Sequence, residues 1–185
     1  MERGIRRQAI YKEEGDYQAF ISILKSGLEK YGCILHAYCL MTNHFHILLE
    51  TSGTDISKFM KHLAGCYAIY FNRKYMYQGH LFEGRYKAIL VKDDIYFLQT
   101  SRYIHLNPVK AGLVENPEDY PWSSYRTMIG MNSDKITQNN RTHAYFGKNP
   151  VVSYRQFIED IGRKYVMEDD RIRRSIEEEE LWLPW

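Results

Sequence analysis

The sequence contains no run of apolar residues approaching the roughly 20 that a membrane-spanning helix needs. Its start, Met1-Glu2-Arg3-Gly4, lacks the apolar core of a secretion signal. No internal repeat is visible either. These absences predict a cytoplasmic protein with no membrane segment.

Cysteine is scarce, and its three copies, Cys33, Cys39 and Cys66, lack CxxC spacing. An odd number of cysteines without this spacing argues against a disulfide framework. We therefore expect reduced, buried thiols.

The chain has 185 residues, of which 44% are hydrophobic and 26% charged, as in ordinary globular proteins. A chain of this length buries a substantial core. We predict one main domain over residues 1–130. The remainder, 131–185, is predicted to hold a polar loop, a short helix around 153–165, and an acidic tail ending in apolar residues.

The net charge of +2 hides an uneven distribution. Residues 56–112 contain nine basic and three acidic side chains, whereas residues 159–180 are acidic on balance. A basic middle region rich in tyrosine favours a polyanionic partner such as nucleic acid. A solvated basic surface would explain the same charge, so charge alone does not decide the partner.

Hydrophobic periodicity predicts helices and strands that alternate along the main domain. One helix should begin at Asp16 and end at Gly32, another should follow Asp55, and a third should run from Asp93 or Asp94 to near Asn107, before Pro108. The predicted strands are 33–40, 44–50 and 85–92. This order indicates an α+β fold, an antiparallel sheet packed with helices.

His44 and His46 flank Phe45 within the second predicted strand. Side chains alternate across a strand, so the two imidazoles should leave the sheet on the same face. Two adjacent imidazoles can hold one divalent metal ion. Ordinary surface or core histidines would show the same spacing, so the motif alone does not establish a metal site.

The third predicted helix offers two further candidate site residues. Tyr103 and Asn107 lie at positions i and i+4, on one helical face. A phenol and an amide oxygen could thus approach a metal held by the histidines. Each also has an ordinary explanation. Tyr103 is one of 16 tyrosines, most of which should be packing or surface residues, and Asn107 precedes a proline and could simply end the helix.

A zinc hydrolase that uses a bound water is an alternative, and it would need a carboxylate near the histidines. Glu50 shares their strand face, but it lies about 13 Å beyond His46 at the rise of a β-strand. It is therefore a poor candidate ligand.

Four sequence blocks carry a family resemblance: LHAYCLMTNHFHIL at 35–48, GHLFEGRYK at 79–87, YIHLNPVKAGLV at 103–114 and PWSSY at 121–125. In this order they resemble the tyrosine transposases of the HUH class. The similarity is greatest to the REP-associated tyrosine transposases, which are related to the single-strand insertion-sequence transposases. It spans about residues 4–126.

The resemblance implies a ferredoxin-like HUH nuclease core over residues 1–130. It also implies that His44 and His46 are paired ligands of Mg²⁺ or Mn²⁺, that Asn107 completes the metal site, and that Tyr103 is the nucleophile. Enzymes of this family cleave and rejoin single-stranded DNA at hairpins through a 5′-phosphotyrosine intermediate, in DNA transposition and recombination. We expect the chain to act as a monomer or a homodimer.

Phosphate contacts and base stacking should supply DNA affinity. The candidate DNA-binding residues are Lys58, Lys61, Arg73, Lys74, Arg85, Lys87 and Tyr86. Further aromatic side chains that could stack on bases, or simply fill the core, are Tyr75, Tyr77 and Phe82.

The sequence departs from the family pattern at its beginning. Family members carry a further strand before the position of Arg3-Gly4, and this sequence starts almost at that position. An exposed sheet edge beside the hairpin is therefore expected. The departure keeps a second hypothesis open, a domesticated and catalytically impaired protein that binds hairpin DNA.

Overall fold

A computed structural model describes residues 1–159, and it has the predicted α+β architecture. The strands are β1 (Glu2–Arg3), β2 (Cys33–Met41) and β3 (His44–Thr51). The helices are α1 (Glu14–Tyr31), α2 (Ile56–Tyr75), α3 (Asp94–Lys110), α4 (Tyr125–Met128), α5 (Asn140–Ala144) and α6 (Pro150–Glu159). Helix α6 begins before the predicted 153–165, and the rest of that prediction, like the acidic and apolar tail, lies outside the described residues.

The sheet has the strand order β1-β3-β2, and both pairings are antiparallel. Thr42 and Asn43 alone connect β2 to β3, so the hairpin is tight and its register is set by the turn. Met41 lies opposite His44, and a β-bulge interrupts the register between Leu35 and Ala37. The predicted strands 33–40 and 44–50 are confirmed, each one residue longer at its carboxyl end.

Helices cover both faces of the sheet, because side chains that alternate along β2 and β3 are apolar on each side. Helices α1 and α2 pack on one face and α3 packs on the other. The first face buries Leu35, Leu40, Phe45, Phe20, Leu24, Leu63 and Tyr67. The second buries Ala37, Cys39, Met41, Leu48, Phe97, Ile104 and Tyr120. His44 and His46 share the parity of Leu48 and hence the face that α3 covers.

Two helices begin at aspartates that accept a backbone N–H, as predicted. Asp55 accepts from Ser57 at 2.8 Å and Asp93 accepts from Tyr96 at 2.8 Å. Gly32 ends α1 in the left-handed conformation, with φ 62°.

The prediction that Asp16 is the N-cap of α1 is wrong. The helix begins two residues earlier with Glu13 as its N-cap, and Asp16 takes the third helical position of a capping box. Its carboxylate accepts the backbone N–H groups of Lys12 at 2.8 Å and Glu13 at 3.2 Å.

Helix α3 continues past Asn107, so its predicted end is also wrong. Pro108 lies inside the last turn, where its missing N–H removes one hydrogen bond. Ala111 restores helical bonding by donating to the Asn107 carbonyl at 2.9 Å. The helix therefore absorbs the proline within its last turn.

The predicted strand 85–92 does not form. Residues 81–87 run beside the chain's first five residues through isolated backbone bonds, such as Lys87 N–H to the Met1 carbonyl at 2.9 Å. Beyond Lys87, the alternating sequence finds no strand to pair with among the described residues, and Leu90 is 78% exposed.

Strand β1 pairs with only the first two residues of β3, Glu2 opposite Phe45 and Arg3 opposite His44. No described strand pairs with that edge of β3 after Phe45. A cavity of about 600 Å³ lies along this edge, between α3 and residues 86–91. The expected open edge beside the hairpin is thus present in part. Within residues 1–159, no helix combines the length and the apolarity needed to cross a bilayer.

Asp16 joins α1 to α2 through a buried polar cluster. Lys74 Nζ donates to it at 2.6 Å and Tyr75 Oη at 2.7 Å. Burial by itself would raise the pKa of this carboxyl, but the hydrogen bonds from Lys74, Tyr75 and the two backbone amides outweigh burial and lower the pKa to about 2.

We predict that Asp16→Asn lowers the free energy of unfolding at neutral pH by about 2 kcal/mol, because the charged carboxylate is better held in the fold than in the unfolded chain. The pKa is depressed from 3.8, so this stabilisation is complete above about pH 4 and is lost as the pH falls toward 2. Urea unfolding across that range would measure it. Glu14→Gln, an exposed position on the same helix, should change stability by less than about 0.5 kcal/mol; a wild-type advantage independent of pH would contradict the assignment.

Candidate active site

His44 and His46 lie side by side on the face of β3 that meets α3. Their ring centroids are 4.9 Å apart and their planes are nearly perpendicular, at 86°. In the β2–β3 pairing, His44 lies opposite Met41 and His46 lies opposite Cys39. The hairpin therefore presents the two imidazoles from a rigid element.

Hydrogen bonding differs between the two rings. His44 Nδ1 lies 2.7 Å from Asn43 Oδ1, so an N–H on that nitrogen would leave Nε2 with a lone pair. His46 Nε2 is buried and has no hydrogen-bond partner among residues 1–159. Buried polar nitrogens are normally bonded. An unpaired imidazole nitrogen next to a second imidazole is compatible with the predicted role of this pair as metal ligands.

Both imidazoles are neutral at physiological pH. Burial, followed by the nearby positive charges of Arg3 and the amino terminus, lowers the pKa of His44 to about 4. Burial lowers the pKa of His46 well below its ordinary value, and His44 adds to the effect. A histidine binds a metal through an unprotonated ring nitrogen, so both side chains are in the protonation state that can bind a metal.

Helix α3 brings Tyr103 to this pair. The Tyr103 ring lies 5.5 Å from the His46 ring, edge to face. Asn107 follows one turn later, and its Nδ2 donates to the Tyr103 carbonyl at 2.9 Å, which leaves Oδ1 as the atom able to ligate a metal. Both side chains are half-buried, so they border solvent and a reactant can reach them.

His105, between these two residues, points the other way and anchors the helix. Its ring is fully buried, with Nε2 at 2.8 Å from Ser124 Oγ and Nδ1 at 2.8 Å from Tyr154 Oη. Ser124 Oγ in turn accepts the Tyr38 backbone N–H at 2.9 Å. Burial lowers the pKa of His105 to about 3, so it serves as a neutral hydrogen-bonding residue. Through it, α3 is tied to both β2 and α6.

Sequence reasoning did not single out two cations beside the site. Lys110 Nζ lies 5.3 Å from the centre of the Tyr103 ring, as its position seven residues further along α3 allows. Arg3 lies directly opposite His44 in the β1–β3 pairing. Helical spacing could have identified Lys110, but no local pattern could have identified Arg3.

The predicted DNA-binding residues fall into two groups. Lys58, Lys61, Arg73 and Lys74 are on α2, which packs on the sheet face opposite the histidines. Lys74 also bonds to Asp16 and Glu13, both at 2.6 Å. Arg85, Tyr86 and Lys87 lie in the segment next to the cavity, where Tyr86 Oη is 3.0 Å from Ser57 Oγ. Their roles in binding DNA stay predictions.

Three of the candidate stacking residues have structural contacts. Phe82 is buried in the main core, Tyr75 donates to Asp16, and Tyr77 Oη lies 3.1 Å from Gln8 Nε2. Each of these three side chains therefore packs or hydrogen-bonds within the fold.

The donor set near the histidines is small. Among the described residues no group of three or more His, Cys, Asp or Glu side chains is arranged to hold a metal. Glu50 is engaged elsewhere, with His36 Nε2 at 3.0 Å and Arg141 at 2.9 Å. The structure brings the two imidazoles together, and the role of the Asn107 amide oxygen as a third metal ligand stays a prediction.

The cavity of about 600 Å³ opens from this site along the edge of β3. His46 and Tyr103 line one end, and Glu50 and Arg141 line the other. Its walls are mainly apolar, with Phe97 and Ile104 from α3. The nucleophile candidate thus borders a space large enough for a nucleotide-sized group.

The family described as "Transposase IS200 like" matches residues 3–107. A Haemophilus influenzae protein named as a REP-associated tyrosine transposase is 28% identical over 117 residues, covering 57% of this chain and 66% of the relative. The chain thus spans just under two thirds of that relative's length. A solved REP-associated tyrosine transposase bound to a REP hairpin superposes with a TM-score of 0.59 at 16% identity, over 74% of this chain and 81% of the other, and supports the fold.

We predict that Mn²⁺ raises the melting temperature through His44 and His46. At a hundredfold excess over Kd, binding adds about 2.7 kcal/mol, or roughly 5–10 °C for a chain of this size. Thermal melts of wild type, His44→Ala and His46→Ala with and without Mn²⁺ would measure the shift, which should vanish in both variants. The exposed His80→Ala is the control and should keep it. No shift in wild type with either Mn²⁺ or Mg²⁺, or an equal loss in His80→Ala, would argue against this ligand pair.

Proposed function

Because the chain belongs to the IS200-like transposase family, we propose that it cleaves and rejoins single-stranded DNA at hairpins, with Tyr103 as the nucleophile. The family's transposases are typically metal-dependent enzymes. The observation that carries the proposal is the edge-to-face contact of the Tyr103 ring with the His46 ring, which puts a half-exposed phenol beside two neutral imidazoles.

The proposed reaction is an exchange of phosphodiester bonds. The Tyr103 phenol oxygen forms a bond to the scissile phosphorus and loses its proton, while the bond from phosphorus to the 3′ oxygen breaks and that oxygen takes up a proton. The products are a 5′-phosphotyrosine and a free 3′-OH. A 3′-OH of another strand can then reverse the step, releasing Tyr103. The covalent link conserves the phosphodiester bond energy, so rejoining needs no ATP.

A phenol has an ordinary pKa near 10 and is a weak nucleophile at neutral pH. His44, His46 and Asn107 would hold Mg²⁺ or Mn²⁺, which when bound supplies Lewis-acid polarisation of the phosphate. Nitrogen ligands are more typical of Mn²⁺ than of Mg²⁺, so we expect Mn²⁺ to support the reaction at least as well. The chain's own contribution is positional, since α3 and β3 hold the phenol and the ligands in place.

The proposed partner is a single-stranded DNA that folds into a hairpin. The solved relative was captured on a REP hairpin, and the basic residues of this chain suit a similar polyanion. We place Lys58, Lys61, Arg73, Lys74, Arg85, Lys87 and Tyr86 among its contacts. We propose that the protein acts in the cytoplasm as a monomer or homodimer.

We predict that Tyr103→Phe abolishes a covalent DNA–protein adduct. Labelled single-stranded hairpin oligonucleotides are incubated with the protein and Mn²⁺, and a denaturing gel shows the adduct. Loss of the hydroxyl removes the atom that forms the bond, so the loss should be complete. Tyr31→Phe, a half-buried tyrosine of α1 on the opposite sheet face, is the matched control and should keep full adduct formation.

Two other outcomes would separate the alternatives. Cleavage that survives in Tyr103→Phe would rule out the tyrosine mechanism and indicate hydrolysis by a metal-bound water. Hairpin binding by wild type without any adduct would instead indicate a domesticated binding protein.

A further inference from the structure

A short loop of arginines joins β1 to the rest of the domain next to the histidines. We call residues Arg3–Arg7 the arginine loop; its three arginines are Arg3, Arg6 and Arg7. The loop turns back on itself, with the Arg7 N–H donating to the Gly4 carbonyl at 3.0 Å. Glu2 is the one acidic residue among the first twelve of the sequence, so this segment is strongly cationic.

Gly4 makes the tight turn possible. A Cβ at this position would lie 2.4 Å from the Gln8 carbonyl oxygen and 2.7 Å from Ile10 Cγ2. Only glycine allows the backbone to approach so closely. The loop therefore has a defined shape.

Arg6 and Arg7 both take the left-handed backbone conformation, with φ of 51° and 58°. This conformation is unfavourable for residues other than glycine and asparagine. Both residues are exposed, so core packing does not account for arginine at either position. Residues kept in such strained conformations cluster at ligand-binding and catalytic sites.

Asn43 connects the loop to the candidate metal ligands. Its Nδ2 donates to the Arg7 carbonyl at 3.1 Å, while its Oδ1 lies 2.7 Å from His44 Nδ1. A second connection runs through the sheet, since Arg3 lies opposite His44 and the two side chains share one face. The arginine loop and the His44 ring are therefore held in one rigid arrangement.

We propose that the arginine loop is a phosphate-binding site for the single-stranded DNA next to the scissile phosphate. Guanidinium groups bind phosphate oxygens in pairs of parallel hydrogen bonds, and a rigid loop loses little conformational entropy on binding. This inference rests on the proposed function for the location of the cut. It adds Arg3, which shares the sheet face of His44, and the exposed Arg6 and Arg7 to the proposed DNA contacts.

The chain offers a closely matched control. Lys135 is also an exposed cation in the left-handed conformation, with φ 61°. It lies two residues before Thr137, which pairs with Leu35 near the end of β2 away from the hairpin turn. Leu35 is about 20 Å from Met41 at the rise of a strand. Replacing Lys135, Arg6 or Arg7 by glycine removes one positive charge and relieves the same backbone strain.

The test compares Arg6→Gly/Arg7→Gly with Lys135→Gly. Fluorescence anisotropy in metal-free buffer would measure binding of a labelled hairpin oligonucleotide that carries a single-stranded thymidine tail. We expect the double variant to keep or raise the melting temperature, because glycine favours this conformation. Its Kd for the tailed hairpin should rise at least about tenfold, and its salt dependence should weaken by about one to two phosphate contacts. Lys135→Gly should bind within about twofold of wild type.

Three outcomes would overturn the proposal. They are unchanged Kd in the arginine double variant, an equal loss in Lys135→Gly, and an equal loss on a blunt hairpin without the tail. Arg6→Asn/Arg7→Asn, which also tolerates the left-handed backbone, repeats the comparison with side chains present. The adduct assay on the same proteins separates this proposal from the proposed function. DNA binding that depends on the arginines, without any Tyr103 adduct, would contradict the proposed function and still support the arginine loop as a phosphate-binding site.

Discussion

The register of the β2–β3 hairpin is the constraint on which the candidate site depends. A slip of one residue would turn His44 and His46 to the face covered by α1 and α2, and would turn Phe45 toward α3. The two-residue turn at Thr42 and Asn43 prevents that slip, since Met41 must then face His44. Phe45, completely buried between α1 and α2, adds an energetic penalty for any other register. The same side chain that lies between the two imidazoles in the sequence therefore keeps them on the correct face.

The second part of the site depends on how α3 is rotated about its axis. His105 bonds to Ser124 and Tyr154 on one side of the helix, and this leaves Tyr103 on the side that meets His46 of β3. Because Ser124 also accepts the Tyr38 backbone N–H, helix α3 is anchored to strand β2 of the hairpin. The region after residue 130 takes part through Tyr154 of α6. Whether 130 is a domain boundary stays a prediction, but the described part of that region contributes to the anchoring of α3.

Local patterns in the sequence were sufficient where the structure is governed by local physics. Strand alternation put His44 and His46 on one face of the sheet, and helical spacing put Tyr103 and Asn107 on one face of a helix. Capping chemistry indicated helix starts at Asp55 and at Asp93 or Asp94. The errors arose where a longer-range contact overruled a local preference. Asp16 is not the N-cap, because its carboxylate bonds to Lys74 and Tyr75 in a buried cluster. Residues 85–92 form no strand despite their alternating pattern, because no neighbouring strand within residues 1–159 is available to pair with them.

The sequence by itself determined the α+β class, the hairpin and the two pairs of side chains that make up the candidate site, because each follows from a periodicity of 2 or 3.6 residues. Only the tertiary structure decided which sheet face α3 covers, and hence that Tyr103 meets His46 while the basic residues of α2 lie on the opposite face. It also placed Arg3 beside His44 and joined the arginine loop to Asn43. These arrangements come from pairing between segments about 40 to 60 residues apart, and packing energies summed over the whole core choose among the possible pairings.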